Sequence, residues 1–333
     1  MFGWIVALAV IAVAGVVVFT VRSGTGHAAA TPSTAVKADT TAQAAAARPQ
    51  AGTSGAGAPG AGAPAGTGRS AAASAAPSAS GAFSAAPGSA SGVSPATSPL
   101  HFRTLPPGAK LPSGAACARW VRKSPKRENK SANRHFNRTK GERVGAHFFS
   151  AGDSAKANKL LAPRINGDFT GTTEEILRWA ACKWGISQSV VFAQAAVESW
   201  WQQDTLGDWG TDASACPPGH KLGADGKAGQ CPQSYGILQN RYPYEKGSWP
   251  GIGRSTAMNA DTAYAIWRSC YDGYEPWLNN VQHSGTYHAG DLWGCVGAWF
   301  AGRWHTAPAQ GYIAKVKQYL SEQIWRTRDF QQG

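Results

Sequence analysis

The chain has 333 residues, with 32 Lys and Arg against 19 Asp and Glu and a formal net charge of +13. Length alone allows two or three domains, but composition divides so unevenly that one folded unit is expected, in the C-terminal part. H-E-x-x-H, G-x-S-x-G and G-x-x-x-x-G-K-[ST] are all missing, so zinc-protease, serine-hydrolase and P-loop nucleotide chemistry lack their minimal residues.

Residues 4–21 are uncharged and almost wholly apolar, just long enough to span a bilayer and somewhat long for a signal-peptide core. Export is the expectation. Ala28-Ala29-Ala30 fits a small-x-small cleavage pattern, so residues 1–30 read as a signal peptide or a membrane anchor. No Lys or Arg precedes the run and Arg22 follows it, the opposite of the usual bias for an outward-facing C-terminus. Residues 31–100, built of Ala, Gly, Ser, Pro and Thr, bury too little apolar surface to offset the entropy of ordering and read as a disordered linker. A coil of that length spans on the order of 50 Å, a reach suited to a tethered domain working inside a thick wall.

Residues 101–164 form a basic N-terminal extension of the folded part. From Arg119 to Arg143 ten basic residues face only Glu128 and Glu142, so eight of the thirteen net positive charges fall here. Such a field attracts polyanions, which gives two readings of equal weight: docking onto anionic wall polymers or a phospholipid surface, or a solvated connecting segment. Nucleic acid is not the expected partner, because only Trp120 and Phe136 interleave the charges and export removes contact.

The six cysteines are even in number and contain no C-x-x-C pair, which points to structural disulfides outside the cytosol rather than to zinc. Spacing suggests Cys216 with Cys231, Cys270 with Cys295, and Cys117 with Cys182. The first pair would staple a loop of Gly, Pro, Lys and Asp that has no hydrophobic pattern of its own. Asp225-Gly226 in that loop reads as a turn, since calcium ligands at alternate positions are missing, and no metal or cofactor is expected.

From 165 to 333 the signals are those of a helical domain. Thr172 to Glu175 holds a capping box, Ile176 to Trp184 keeps helical spacing, and Gly185 sits where a C-terminal cap belongs. Ser187 opens a second helix that delivers Glu198 to its last turn. Asn259 or Asp261 opens a third, Asp291 to Trp299 is a fourth, and Tyr312 to Trp325 a fifth. Strand alternation is nearly absent, so the expected class is mainly α, with long stapled loops between 200 and 258.

Glu198 closes an apolar helix and precedes Ser199-Trp200-Trp201. The negative end of the helix dipole and drying by aromatic neighbours both raise the pKa of such a carboxyl, as a general acid near neutral pH requires. Downstream come Ser234-Tyr235-Gly236-Ile237-Leu238-Gln239, then Ala298-Trp299-Phe300-Ala301-Gly302, then Tyr312 with Val316 four residues on. In this order the chain resembles the soluble lytic transglycosylase and goose-type lysozyme superfamily, whose signatures are E-S, S-x-G-x-[ML]-Q, A-Y-N-A-G and Tyr-x3-Val. The resemblance covers residues 172 to 325.

It implies a lysozyme-like helical domain that cleaves the β-1,4 bonds of peptidoglycan glycan strands. Glu198 matches the catalytic acid/base, Ser199 the neighbour that orients the site, and Ser234, Gly236 and Gln239 the loop lining the glycan cleft. Tyr312 matches the tyrosine beside the catalytic carboxylate. Trp299 stands for the motif Tyr and Phe300 for the Asn, so stacking replaces polar contact at that subsite. In the family one carboxyl protonates the glycosidic oxygen and then takes the proton of the sugar's own 6-hydroxyl, leaving a 1,6-anhydro ring without hydrolysis.

Ordinary glycosidases use two carboxylates. Asp204, Asp208 and Asp212 are the candidates for a second, and one holding a water would make the chain a hydrolytic muramidase or a chitosanase-like glycosidase. Their other reading is as turn and capping residues. A non-catalytic wall-binding module is the competitor outside enzymes. Among the tryptophans, Trp267, Trp293 and Trp299 keep helical spacing and suit a core, while Trp201, Trp209 and Trp249 are candidates to stack on sugar, with Tyr242 and Tyr244 extending that surface. The expected location is secreted, or on the outer face of the membrane within the wall.

Overall fold

The computed structural model describes residues 102–150, 152–281 and 286–332. The apolar run at 4–21, the Ala28 to Ala30 site and the linker at 31–100 lie outside the described residues. Among the described residues, no helix is long and apolar enough to cross a membrane.

The fold is mainly α. Helices run α1 Gly114–Val121, α2 Arg134–Arg138, α3 Ala155–Leu160, α4 Thr173–Trp184, α5 Gln188–Ser199, α6 Gly251–Arg254, α7 Thr256–Tyr271, α8 Leu278–Val281, α9 Leu292–Ala301, α10 Ala307–Glu322 and α11 Arg328–Gln332. Strand structure is a small antiparallel sheet in the order β1 Leu206–Gly207, β2 Ser234–Tyr235, β3 Asn240–Arg241, with Gly207 opposite Ser234 and Tyr235 opposite Asn240.

The boundaries of α4 follow from local chemistry. Thr172 accepts from the Glu175 N–H, the Glu175 carboxylate accepts from the Thr172 N–H at 2.8 Å, and Gly185 closes the helix with a left-handed φ of 59°. Helix α7 departs from expectation. It opens at Ser255, whose hydroxyl accepts from the Met258 N–H at 3.2 Å, and all of its residues are buried. Asn259 and Asp261 therefore sit inside it. Asp261 accepts from Lys183 Nζ at 2.6 Å, Trp184 Nε1 at 2.8 Å, and the backbone N–H groups of Asn166 and Gly167, so this buried charge is fully paired. Helix α10 begins five residues before Tyr312, with Pro308 in its first turn where the ring's missing N–H costs nothing, and yields after Gln323 to a 3-10 turn at Ile324–Arg326.

Disulfides join Cys117 to Cys182, Cys216 to Cys231 and Cys270 to Cys295, the pairing suggested by spacing. The first fastens α1 to α4, and the third α7 to α9. Residues 102–164 share the central core through Phe102, Cys117, Val121, Val144 and Phe149. Glu128 receives the Thr173 N–H at 2.8 Å, at the positive end of α4, and Asn133 donates to the Trp201 carbonyl at 2.6 Å. From Arg119 to Arg143, Lys130 is buried and donates to the Phe330 carbonyl at 2.7 Å, while the other basic side chains are exposed. Burial pushes the Lys130 ammonium down to about 8, against the pull of Glu128. The extension is thus anchored in the fold and still presents its charge to solvent.

Candidate active site

Glu198 lies in the last turn of α5, half-buried, where α10 packs alongside and carries α9 on it. Its Oε1 accepts from Trp299 Nε1 of α9 at 3.0 Å and from the Tyr312 hydroxyl of α10. Three helices therefore converge on one carboxyl oxygen. Burial pushes the Glu198 carboxyl up to about 8. The Tyr312 and Trp299 donors oppose that shift without cancelling it, and the charge of Asp208 adds to it. Burial, and then the Glu198 charge, likewise hold the Tyr312 phenol well above its ordinary value.

Gln194, one turn before Glu198 and 1 % exposed, faces the same pair, and its amide pulls the Tyr312 phenol down against burial and the Glu198 charge. The Tyr312 hydroxyl gives its own proton to the hydrogen bond with Glu198. With Oε1 engaged by two donors, the carboxyl proton belongs on Oε2. Sequence reading missed Gln194. In a run of Val, Phe and Ala it stands out as a polar interruption four residues before Glu198, and the i, i+4 relation was the available signal.

The 234–239 segment reaches Glu198 through Ser199. Ser199 is buried, and its hydroxyl donates to the Ile237 carbonyl at 2.9 Å, so it positions the loop and does not line a surface. Gly236 is also buried. Its φ is 78°, and a Cβ there would collide with the side-chain amides of Asn259 and Gln203, so no other residue fits. Those amides clamp the loop. Asn259 accepts from the Leu238 N–H at 2.9 Å and donates to the Tyr235 carbonyl at 2.7 Å, and Gln203 accepts from the Ile237 N–H at 3.1 Å. Gln239 is half-buried and turns back on the backbone, donating to the Gly236 carbonyl at 2.8 Å.

Ser234 is buried and donates to Asp208 at 2.5 Å, so its part is to hold a carboxylate and not to meet a ligand. Asp208 sits at a left-handed φ of 47°, with Arg241 Nε 3.7 Å away. Of the three aspartates, it is the one whose charge reaches Glu198. Asp212 caps the short 3-10 turn Ala213–Ala215 through the Ser214 N–H at 2.9 Å, and Asp204 is exposed.

The tryptophans divide. Trp201 is 1 % exposed, donates to the Phe192 carbonyl at 3.0 Å and packs on Phe330, so it belongs to the core rather than to a sugar-binding surface. The cause is the pair of left-handed residues Trp200 and Trp201, which turn the chain back beneath α5. Trp267 is buried, as its spacing suggests, whereas Trp293 and Trp299 are only half-buried. Trp209 and Trp249 keep part of their surface open. The Lys227 ammonium lies 4.3 Å from the Trp209 ring centre, and Trp249 joins Tyr235, Tyr242 and His220 in an aromatic cluster. Tyr242 is half-buried within that cluster, and Tyr244, also half-buried, lies under the Arg241 guanidinium.

Among the described residues, no group of three or more His, Cys, Asp or Glu side chains is arranged to hold a metal ion. Comparisons with models of known protein families, with curated proteins and with solved structures return no match.

Proposed function

We propose that the chain is a lysozyme-like lytic transglycosylase that cleaves the β-1,4 bond of peptidoglycan glycan strands, with Glu198 as acid and then base. The observation that carries this reading is the state of one carboxyl group. It is pushed up to about 8 and fixed by Tyr312 and Trp299 on Oε1, so it holds a proton on Oε2 at neutral pH.

The chemistry runs through that atom. Oε2 gives its proton to the glycosidic oxygen as the C1–O bond breaks, and positive charge develops on the sugar ring. The new carboxylate keeps its two donors, which stabilise it at the moment its charge appears. It then takes the proton from the sugar's 6-hydroxyl as O6 bonds to C1. The 1,6-anhydro ring closes, and Glu198 returns protonated for the next turnover.

A second reading has its own support. Asp208, held by Ser234 and acting on Glu198 through its charge, has the attributes of a second carboxylate. A water held there would attack C1 and make the reaction hydrolytic. Mass spectrometry of sugars released from purified peptidoglycan separates the outcomes, with Glu198→Gln as control. Anhydro-muramic ends that vanish in the variant support transglycosylation, and reducing ends support hydrolysis. No release by either chain moves the reading to a non-catalytic wall-binding module. The three disulfides fit an exported protein, and the exposed basic side chains between Arg119 and Arg143 suit an anionic wall polymer or membrane surface as a secondary partner.

A further inference from the structure

Cations scattered along 119–143 gather around the short segment that leads into α4. Arg122 lies 5.2 Å from the centre of the Phe169 ring, Lys140 pairs with Asp168 at 2.7 Å, and Lys126 pairs with Glu174 at 3.7 Å. Helix α2 joins them there. Asn133 and Asn137, one turn apart, both donate to the Thr173 hydroxyl, at 3.0 and 3.1 Å. That buries one face of α2 and leaves Arg134 and Arg138, also one turn apart, exposed on another.

The acids of this region are already engaged. Glu128 accepts from the Thr173 N–H, Glu175 accepts from the Thr172 N–H, and Asp168 and Glu174 hold the two lysines. Among the described residues, Arg119, Lys123, Arg127, Arg134, Arg138 and Arg143 are exposed and make no ion pair. Arg134 and Arg138 repel each other at i, i+4, a cost to folding that a bound anion removes. The large apolar side chains exposed among the described residues are Leu160, Leu222 and Phe300, none of them between these charges. The surface thus offers cations without a group to enter an acyl layer or to stack on a base. Five of the six unpaired cations are Arg, whose planar fork matches phosphate oxygens.

We propose that this surface docks a linear phosphodiester polymer of the cell envelope, an inference that rests on the glycan-cleaving reading above for the place where the chain works. The surface shares its frame with the site. Asn133 also donates to the Trp201 carbonyl at 2.6 Å and accepts from the Gln203 N–H at 2.8 Å, both just beyond Glu198. A docked polymer therefore holds the Glu198 carboxyl at a fixed offset from the wall, and the contact, being electrostatic, is released by salt.

The test is fluorescence anisotropy of labelled linear polyphosphate against the full chain, with salt varied. Arg134→Gln with Arg138→Gln, and separately Arg119→Gln with Lys123→Gln, are each expected to weaken binding roughly tenfold and to lower the slope of log affinity against log salt by about two. Lys156→Gln with Lys159→Gln removes the same charge from exposed positions on α3 and should change affinity less than about twofold. Equal losses in all three double variants would leave only net charge and overturn the surface, as would absence of polyphosphate binding by the parent. A loss in the Arg134 and Arg138 variant on vesicles of phosphatidylcholine and phosphatidylglycerol, but not on polyphosphate, would assign these charges to a membrane and also overturn it. If one of the two variants at the surface fails to fold, the other carries the same test. Sugar release from phosphate-free peptidoglycan strands should match the parent in every variant, and its absence in the parent counts against the Glu198 reading alone.

Discussion

The Ser199 hydroxyl donates to the Ile237 carbonyl at 2.9 Å, and that bond ties the end of α5 to the loop that follows β2. Both partners are buried, so removing the donor leaves a carbonyl without water or partner. Ser199→Ala is expected to cost about 1–3 kcal/mol of stability, read from urea unfolding. Glycan release should fall at temperatures where the variant is still folded, because Glu198 and the loop lose their shared register. An unchanged unfolding midpoint would contradict the positioning role.

Tyr312 and Trp299 meet the same oxygen of Glu198, so their removal should act on the same quantity. Each donates more strongly to the carboxylate than to the neutral acid. Tyr312→Phe and Trp299→Phe should therefore lower kcat, by roughly ten- to a hundredfold each. The two losses combined should be less than additive, since the groups act as one unit. Both should also move the basic limb of the pH–rate profile upward, because the ionised form has lost support. A downward move, or no move with full activity, would separate these donors from the chemistry.

The proton on Glu198 also bears on stability. The ordinary value for a glutamate is 4.5, and here the folded carboxyl is pushed up to about 8. Between those values the folded chain keeps a proton that the unfolded chain has released, so stability falls as pH rises. The contribution is fully present below 4.5 and is lost by about pH 8. Glu198→Gln does not titrate and keeps an acceptor for both donors, so it should be more stable than the parent at pH 8, by on the order of 2 kcal/mol. Near pH 5 the gap should shrink, and paired melting curves at the two pH values check this. Activity should fall along a limb near pH 8 for the same reason, since the reaction starts from the protonated acid.

How far the fold is legible depends on whether local chemistry or tertiary contact decides each position. The ends of α4 at Thr172 and Gly185 are local, and cap chemistry suffices for them, while spacing suggests the disulfide pairing without fixing it among the alternatives. The start of α7 is not local. Ser255, Asn259 and Asp261 all have cap chemistry, and only the arrival of the 234–239 loop and of Lys183 turns the last two into buried partners. At the site, Glu198, Trp299 and Tyr312 are legible as types in order along the chain. Gln194 is marked in the sequence only as a polar residue four before Glu198, and Asn259 not at all, because its meaning appears only where the loop after β2 approaches it. Trp201 misleads because a tryptophan beside a polar loop reads as surface, and two left-handed residues then bury it.

Asp208 decides between the two chemistries. Its charge raises the Glu198 carboxyl, so Asp208→Asn should bring that carboxyl down and move the basic limb of the pH–rate profile to lower pH. Under transglycosylation the substrate supplies its own nucleophile, and the variant should still release anhydro-muramic ends at the more acidic optimum. Under hydrolysis Asp208 holds the attacking water, and the variant should lose reducing-end product by a hundredfold or more, on the order of the loss seen when a general base is removed. Ser234→Ala probes the same carboxylate from the other side. Its hydroxyl donates to Asp208 at 2.5 Å, so its loss frees the aspartate to turn toward Arg241 while leaving its charge in place. The basic limb should then stay close to the parent's in Ser234→Ala and shift in Asp208→Asn. If both variants shift it equally, the Asp208 charge is not what acts on Glu198.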